Sequence, residues 1–311
     1  MKADMQTLTL GTRGSKLALK QTDMVKVALE RAHPDMDVRI EVIQTSGDWK
    51  PEHGETRLSE AKGGKGQFAK EIEQALMKGR IDAGVHSVKD MESFLPEGMA
   101  LDHFLPRDDP RDGFISNHYG SLKDMPAGAT IGTSSVRRAA MIKNVRSDLK
   151  IAPLRGNVPT RLEKLDNGQV DATILAVAGL NRLNLSQRIT KLLEAEEMLP
   201  AVGQGAIGLE ILTERSELTR LLEPINCSKT RSCIRAERAA LAVLDGSCHT
   251  PIGAYAHLHE DGQLHLRLAV YALDGTDMYQ AEIYGAPDDA SSLGESLGQS
   301  LKTRLPEGFL E

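Results

Sequence analysis

The first two thirds of the chain alternate short apolar segments with stretches whose apolar residues recur at helical spacing. Residues 8–15 (LTLGTRGS) are an apolar segment that runs into a Gly/Ser/Thr loop, and apolar residues from Leu17 to Leu29 then follow at helical spacing. Residues 129–135 (ATIGTSS) repeat this order. An apolar segment, a small-residue loop and an amphipathic stretch predict a strand, a loop and a helix.

A second pair of similar segments indicates an internal repeat. Residues 79–85 (GRIDAGV) and 168–174 (GQVDATI) each follow an amphipathic stretch closed by glycine, and each runs on into an apolar strand. The stretch of chain between the two repeated segments is longer in the first half than in the second. Its extra length includes residues 46–66, whose glycines and charges predict a long mobile loop. Chance similarity of short patterns is the alternative, but both pairs keep their order along the chain.

The repeat predicts two similar α/β lobes, each with a mostly parallel sheet. The Gly-rich residues 201–210 (AVGQGAIGLE) are interpreted as a crossover that returns to the first lobe. We expect residues 1–104 and 198–222 to form the first lobe and residues 105–197 to form the second. In open α/β sheets, ligands bind beyond the carboxyl ends of the strands. Two facing lobes therefore predict a cleft lined by those ends.

The remaining residues, 223–311, have a different pattern. A helical stretch over residues 230–244 precedes three segments of alternating polarity, and a last helix is expected over residues 289–304. Asp261-Gly262 and Asp274-Gly275 separate the alternating segments and predict hairpin turns. The pattern is typical of a small α+β domain with a three-stranded antiparallel sheet.

Composition and charge limit the functional classes. The 311 residues are 40% hydrophobic, 26% charged and only 4% aromatic, with a net charge of −6 and a pI of 5.9. This composition suits a globular protein of several domains and offers neither a basic field nor stacking platforms for nucleic acid. No apolar run is long enough to span a membrane, and residues 1–7 lack an apolar signal segment, so we expect a cytoplasmic protein. Three cysteines without C-x-x-C spacing favour neither a disulfide framework nor a metal site.

Four arginines lie close together in this acidic chain. Arg137 and Arg138 follow the segment GTSSV, and Arg155 and Arg161 lie in the segment LRGNVPTR. Guanidinium groups bind carboxylates or phosphates in a bidentate way, and the N–H groups at a helix start add donors. The arginines therefore predict a pocket for a small molecule with several negative charges. A pair of solvated helix arginines is the alternative.

Two further positions are candidates for chemistry. Lys89 and Asp90 follow the apolar strand of the first lobe, where an acid can accept hydrogen bonds and transfer protons; a surface Lys–Asp pair is the alternative. Cys248 lies in the loop segment DGSCHTP, so its thiol is either exposed and reactive or incidental. Residues 63–68 (GGKGQF) lack the spacing of a phosphate-binding loop and are interpreted as a flexible basic loop.

Together and in this order, these segments resemble the porphobilinogen deaminase family. No segment is decisive alone, but the set is specific and spans nearly the whole chain. The matching segments are GTRGSKLAL (11–19), GGKGQF (63–68), HSVKD (86–90), RDDPRD (107–112), GTSSVRR (132–138), LRGNVPTR (154–161), LAVAGLNR (175–182), LPAVGQGA (199–206) and GSC (246–248).

The resemblance implies a transferase of tetrapyrrole biosynthesis that joins four porphobilinogen molecules head to tail, releases ammonia and yields linear hydroxymethylbilane. It also implies two lobes that resemble type II periplasmic binding proteins and a third domain that carries a cysteine. By its motif that cysteine is Cys248, which is expected to hold a covalent dipyrromethane cofactor built from two substrate molecules. We expect a monomer with no metal and with no nucleic-acid or membrane partner.

Roles for individual residues follow from the same resemblance. Asp90 is expected to hold pyrrole N–H groups, to stabilise the cationic azafulvene formed when ammonia leaves, and to carry the proton to the departing amine. Residues 46–66 are expected to act as a lid, with Lys65 and Phe68 as lid residues. The expected cofactor-binding residues are Cys248, Lys89, Asp90, Thr133, Ser134, Ser135, Arg137, Arg138 and Gly156. The expected substrate-binding residues, which face the acetate and propionate of each pyrrole, are Arg13, Ser15, Arg155, Arg161 and Arg182.

The chain departs from the family pattern in two places. Met91-Glu92 stands where a small apolar residue and proline are usual, which is expected to alter how Asp90 is held. Pro159 stands where glycine or a polar residue is common, which is expected to stiffen the loop before Arg161. Neither change removes a charged group, so we expect activity to survive.

Two other classes of protein compete with the enzyme interpretation. One is a non-catalytic two-lobed binding protein for a polycarboxylate, and the absent export signal and Cys248 count against it. The other is an RNA-binding protein, whose binding falls steeply with salt and which the acidic composition disfavours.

Overall fold

The computed structural model describes residues 7–45, 69–244 and 250–309 and places their strands in three sheets. The strands are β1 (Thr7–Arg13), β2 (Asp37–Ile43), β3 (Ala83–Ser87), β4 (Met99–Phe104), β5 (Asp112–Ser116), β6 (Thr130–Gly132), β7 (Lys150–Ala152), β8 (Ala172–Ala176), β9 (Lys191–Leu193), β10 (Ile207–Leu212), β11 (Ile252–Leu258), β12 (Leu264–Tyr271) and β13 (Met278–Gly285). The helices are α1 (Lys16–Ala32), α2 (Lys70–Met77), α3 (Val136–Val145), α4 (Val158–Asp166), α5 (Val177–Arg182), α6 (Ser216–Leu222), α7 (Ser228–Val243) and α8 (Ala290–Lys302). Within these ranges no helix has the length and apolar character needed to cross a membrane.

The two larger sheets have the same strand order. In the first lobe the order is β2-β1-β3-β10-β4, with β1 parallel to β2 and β3, and β10 antiparallel to its neighbours. In the second lobe the order is β7-β6-β8-β5-β9, with β6 parallel to its neighbours and β5 antiparallel. The antiparallel strand of each sheet is the one that follows a crossing between lobes. This confirms the two similar lobes and the crossover predicted at residues 201–210.

The sequence repeat corresponds to a repeated hydrogen-bond arrangement. In the first lobe, the carboxylate of Asp82 accepts the backbone N–H of Thr9 at 2.8 Å, and the Asp82 N–H donates to the Thr9 carbonyl at 2.8 Å. In the second lobe, Asp171 and Thr130 make the same two bonds at 2.7 and 2.9 Å. Each aspartate therefore ties the start of one strand to the strand beside it. The similarity of the segments is not due to chance.

Helix ends in the two lobes also correspond. The hydroxyl of Ser15 accepts the N–H of Ala18 at the start of α1, and the hydroxyl of Ser135 accepts the N–H of Arg138 at the start of α3. At the other end of the repeat, glycines with φ of 65° and 69° follow α2 and α4, at positions 79 and 168. Because both serine caps lie just beyond a parallel strand, the helix starts face the cleft between the lobes.

The third domain consists of the antiparallel sheet β11-β12-β13 and the helices α7 and α8 that pack on one face of it. Its hairpin turns contain Gly262 and Gly275, with φ of 84° and 80°. The predicted turns, the antiparallel sheet and the two helices are confirmed. The boundaries proposed for the domains stay a prediction; each falls outside the helices and strands, at the end of β4, between β9 and β10, and at the end of α6.

A buried carboxylate joins the third domain to the crossover. Glu237 on α7 is fully buried and accepts the backbone N–H groups of Gly203 at 2.7 Å and Ala256 at 2.8 Å. Arg107 donates to the same carboxylate at 2.6 Å and to the Gln204 carbonyl at 2.8 Å. Because a buried carboxylate is stable only when paired, this network holds the start of the third domain against both lobes.

Candidate active site

A cavity of about 710 Å³ lies at the carboxyl ends of the parallel strands, with walls from both lobes. Loops and turns that follow β1, β3, β6 and β7 line it. The third domain contributes Leu241, Thr250 and Ile252. A volume of this size is in the range, about 300–1,000 Å³, that holds small-molecule ligands. The predicted cleft is confirmed.

The first lobe presents an acid and a lysine on one short turn. Residues Val88–Asp90 form a single 3₁₀ turn directly after β3. Val88 is buried, and its N–H donates to the Ala206 carbonyl at 3.1 Å. This anchor fixes the turn, and Lys89 and Asp90 line the cavity beside Arg13. The alternative of a Lys–Asp pair on the open surface is therefore wrong.

Lys89 has a shifted proton affinity. The pKa of Lys89 is lowered to about 8: burial is the largest cause, the charges of Arg138 and Arg161 across the cavity act in the same direction, and Asp90 acts in the opposite direction. The lysine is a cation at neutral pH and loses its charge as pH rises through about 8. It can pair with a carboxylate at neutral pH.

The second lobe presents Arg137 and Arg138, which are only 4% and 6% exposed. Both contact Asp112, the first residue of β5: Arg137 Nη2 donates to Oδ2 at 2.7 Å and Arg138 Nη2 donates to Oδ1 at 2.7 Å. Burial alone would raise the pKa of Asp112, but the two guanidinium groups outweigh it and hold that pKa well below its usual range. The alternative of solvated helix arginines is wrong, and one carboxylate of the chain already neutralises part of their charge.

The loop after β7 and the first turn of α4 supply the remaining positive charge of the second lobe. Arg155 and Arg161 line the cavity, and Arg161 Nε donates to the Gly156 carbonyl at 2.8 Å. Gly156 has φ of 111°, and a Cβ there would lie 2.8 Å from the Thr160 side chain, so a residue with a side chain does not fit. Gly156 therefore shapes the loop that aims the two arginines.

Family models and curated relatives match this chain over most of its length. The family model "Porphobilinogen deaminase, dipyromethane cofactor binding domain" matches residues 8–220, and "Porphobilinogen deaminase, C-terminal domain" matches residues 231–303. The chain belongs to the porphobilinogen deaminase family. Curated relatives of that name include proteins from Nitrobacter winogradskyi, 48% identical over 303 residues, and from Syntrophobacter fumaroxidans, 43% identical over 296 residues. The alignments cover 97% and 95% of this chain and 94% of each relative.

Solved structures also match the chain. Lipoprotein Tp32 from Treponema pallidum is 13% identical, with a TM-score of 0.46 over 71% of this chain and 90% of that one. A nutrient binding protein from Burkholderia cenocepacia bound to methionine is 13% identical, with a TM-score of 0.43 over 75% of this chain and 94% of that one.

Among the described residues, most of those that the resemblance to the porphobilinogen deaminase family singled out meet at the cavity, and two do not. Arg182 Nη2 donates to the Gly205 carbonyl at 2.6 Å, and its Nε lies 3.6 Å from Asp108 Oδ2, so this arginine braces the crossover outside the cavity wall. The hydroxyl of Thr133 accepts the Ser135 N–H at 3.2 Å and is likewise not part of the wall. Those at the cavity are Arg13, Ser15, Lys89, Asp90, Ser134, Ser135, Arg137, Arg138, Arg155, Gly156 and Arg161.

Three predicted residues lie outside the described residues. They are Cys248, the predicted attachment point, and the lid residues Lys65 and Phe68. Another cysteine, Cys233, is buried in α7, where burial raises the pKa of its thiol to about 12. A thiol with so high a pKa is a poor nucleophile.

The two departures from the family pattern occupy well-defined positions. Met91 is buried beside Val88 and Phe104, and its N–H donates to the Val88 carbonyl at 3.1 Å, so it packs the end of the turn that carries Asp90. Pro159 lies in the first turn of α4, where its missing N–H costs no helical hydrogen bond. The expectation that Pro159 stiffens a loop was wrong, because the residue belongs to a helix.

Sequence reasoning missed Asp112 and Gln204. Gln204 Nε2 donates to Asp112 Oδ1 at 2.9 Å and to the Pro110 carbonyl at 2.6 Å, so the crossover contacts the arginine pair through this carboxylate. A signal for Asp112 was present: an aspartate opens the apolar strand DGFIS, and a buried carboxylate requires a cationic partner. Nothing in the sequence indicated which cation that is.

Proposed function

We propose that Asp90 is the catalytic residue of this chain and that the cavity residues facing it bind the carboxylates of substrate and cofactor. The chain is a transferase that joins four porphobilinogen molecules head to tail into linear hydroxymethylbilane and releases ammonia, in tetrapyrrole biosynthesis. Its cofactor is dipyrromethane. The observation that carries the proposal is the position of Asp90, the one acid among the described residues that line the cavity, in a wall whose other charged groups are arginines and lysines.

The charges of the cavity suit this cofactor. Each pyrrole ring carries an acetate and a propionate, so dipyrromethane brings a carboxylate for most of the guanidinium groups of Arg13, Arg137, Arg138, Arg155 and Arg161. Among the described residues, the buried Nε of Arg137 has no hydrogen-bond partner. A buried donor without a partner is costly, so a bound carboxylate or a water is expected to complete it. We therefore assign the binding of these carboxylates to the five arginines, assisted by Lys89, Ser134 and Ser135.

Asp90 acts on the pyrrole that loses ammonia. Its carboxylate accepts hydrogen bonds from pyrrole N–H groups and stabilises the cationic azafulvene that porphobilinogen becomes when its amine departs, and it carries the proton to that amine. The cluster of arginines around it keeps carboxylates of the substrate away from Asp90 by pairing with them. When bound, dipyrromethane supplies the pyrrole carbon to which the first substrate is joined.

Attachment of the cofactor is assigned to Cys248. Thr250, which follows two positions later, lines the cavity, and so does Leu241 in the helix before it. Both observations support a tether that starts in the third domain.

Lys65 and Phe68 are assigned to a lid, Arg182 supports the site from outside, and Thr133 shapes the loop before α3. We further propose that the protein is a cytoplasmic monomer. We also propose that it binds no nucleic acid, because its composition is acidic.

The assignment of Cys248 is tested by intact mass. Wild-type protein is expected to exceed the sequence mass by one dipyrromethane and to give a colour with Ehrlich's reagent, whereas Cys248→Ser is expected to show the bare mass. Cys227→Ser is the matched control, since Cys227 is a partly exposed cysteine outside the cavity. An added mass that persists in Cys248→Ser would refute the attachment point.

The role of Asp90 is tested by Asp90→Asn. Loss of one preorganised electrostatic group at a reacting centre lowers kcat by about 10²–10³-fold, and we expect a loss of this size with no change in melting temperature. The rate of hydroxymethylbilane formation is measured, with the exposed Asp124→Asn as control. An Asp90→Asn protein that carries the cofactor and turns over at the wild-type rate would show that another group does this chemistry.

A further inference from the structure

Three histidines lie together on the third domain, away from the cavity. His257 on β11 is the direct cross-strand partner of His265 on β12, and His259 lies two residues after His257, just past the end of β11. Side chains two apart on a strand, and side chains directly opposite on paired strands, share one face of the sheet. The hairpin between β11 and β12 therefore brings all three imidazoles to the same place.

The spacing of the rings matches that of a shared metal ion. The centres of the imidazole rings are 4.7, 5.1 and 5.5 Å apart, and one ligand nitrogen from each lies within 4.8 Å of the others. Three imidazoles that bind one Zn²⁺ tetrahedrally, with nitrogens at about 2.0–2.1 Å, have ring centres about 5 Å apart. Small side-chain rotations, most easily of the exposed His259, would bring the nitrogens to bonding distance.

The surroundings supply what a metal-binding histidine requires. Glu282 on β13 lies 3.0 Å from His265 Nε2, the arrangement in which a carboxylate orients a metal-binding imidazole. The buried Nδ1 of His257 has no hydrogen-bond partner among the described residues. Arg267, a cation on the same face, is paired with Glu196, so its charge is balanced.

We propose that His257, His259 and His265 form a binding site for one divalent transition-metal ion, with Zn²⁺ as the expected occupant. Neutral imidazoles without thiolates suit Zn²⁺ and its neighbours in the transition series better than Mg²⁺ or Ca²⁺. Ile252, at the other end of β11, lines the cavity and lies five positions before His257, at a rise of about 3.3 Å for each position of the strand. The ion therefore plays no part in the chemistry of the cavity and clips β11 to β12 at the far end of the hairpin.

Zinc titration of untagged, cofactor-loaded protein tests this site. Wild-type protein and the exposed control His118→Ala are expected to take up one equivalent of Zn²⁺ in competition with a micromolar-affinity indicator. His257→Ala and His259→Ala are expected to lose this binding, and Glu282→Gln to weaken it by about 10–100-fold. Zn²⁺ is expected to raise the melting temperature of the wild type and not of His259→Ala, which removes only an exposed side chain.

Two results would overturn the proposal. If the wild type takes up no Zn²⁺ under these conditions, the histidines form only an aromatic stack with Tyr284, whose ring lies parallel to that of His265 at 4.1 Å. If His257→Ala and His259→Ala bind Zn²⁺ as the wild type does, the ion sits elsewhere, with the cysteines as the expected ligands. X-ray absorption of the zinc-bound wild type adds an independent readout, since the proposal requires nitrogen or oxygen ligands and no sulfur at about 2.3 Å.

Discussion

The two lobes have the same strand order but present different charged groups to the cavity. In the first lobe, β3 ends in the turn that carries Lys89 and Asp90. In the second lobe, the equivalent strand, β8, continues into the apolar start of α5, and the charges come instead from α3, the loop after β7 and the first turn of α4. The hydrogen bonds that hold the strands together are the same in both lobes, whereas the groups beyond the strand ends differ. A repeated scaffold thus carries an asymmetric site: both lobes present cations, including Arg13 and Lys89 in the first, but among the described residues only the first lobe also presents an acid, Asp90.

Each lobe also has an important aspartate, and the two differ in their surroundings. Asp90 is partly exposed at the cavity, whereas Asp112 is fully buried between Arg137 and Arg138. A carboxylate that is enclosed by two guanidinium groups contributes to the folded state and cannot take part in proton transfer. We expect Asp112 to matter for stability and Asp90 to matter for turnover.

The largest effect on stability is expected from Asp112→Asn. The substitution leaves two buried guanidinium groups without their counter-charge, and breaking a buried ion pair in this way costs about 3–5 kcal/mol. Chemical denaturation followed by circular dichroism measures the free energy of unfolding. Asp124→Asn in the same lobe, an exposed aspartate, is the control and should change it by less than about 0.5 kcal/mol. An Asp112→Asn protein as stable as the control would mean that the arginines do not depend on this carboxylate.

A smaller effect on stability, of equal size for the two variants, is expected from Asp82→Ala and Asp171→Ala. Each substitution removes the acceptor for one strand N–H, of Thr9 or of Thr130, and an unpaired donor in the interior costs about 1–3 kcal/mol. Denaturation midpoints compare the two variants, with the exposed Asp35→Ala as control. Asp82 also pairs with Arg215, a partly exposed contact that adds little. If only one of the two substitutions lowers the stability of the protein, the two repeats are equivalent in geometry but not in energy.

The sequence predicted the scaffold better than it predicted the pairing of charges. The repeated segments around Asp82 and Asp171 revealed both lobes, because strand, loop and helix signals are local. The contact between Asp112 and the arginines was out of reach, because it joins β5 to α3 across the sheet and depends on packing. For the same reason Arg182 looked like the other arginines, although it donates to Gly205 outside the cavity.

The histidine cluster illustrates the same limit on the third domain. Spacing two apart predicts a shared face for His257 and His259, since both follow the strand period. To predict that His265 joins these two histidines, one must know the strand register of the β11–β12 hairpin, which pairs His265 with His257. Cysteine spacing gave no sign of a metal site, and the structure brings together a set of histidines that are not adjacent in sequence.

The smallest effect is expected from the pH dependence of Lys89, and it isolates the contribution of this lysine of the first lobe to anion binding. A lysine is charged below its pKa, and burial lowers the pKa of Lys89 from 10.5 to about 8, so the cation is lost as pH rises through about 8. If substrate binding requires this cation, KM rises by at most about tenfold between pH 7 and pH 9. Initial rates over this range measure the effect. Arginine keeps its charge throughout, so Lys89→Arg is expected to remove the rise that the lysine causes.

The substrate amine and other groups titrate in the same pH range, so the difference between the two profiles, and not either profile alone, reports on Lys89. Lys123→Arg, an exposed position in the second lobe, is the matched control and should keep the wild-type profile. Identical profiles for wild type and Lys89→Arg would mean that the guanidinium groups of Arg13 and of the second lobe hold the carboxylates without help from Lys89. Anion binding by the first lobe would then rest on Arg13, and the turn after β3 would contribute only its acid, Asp90.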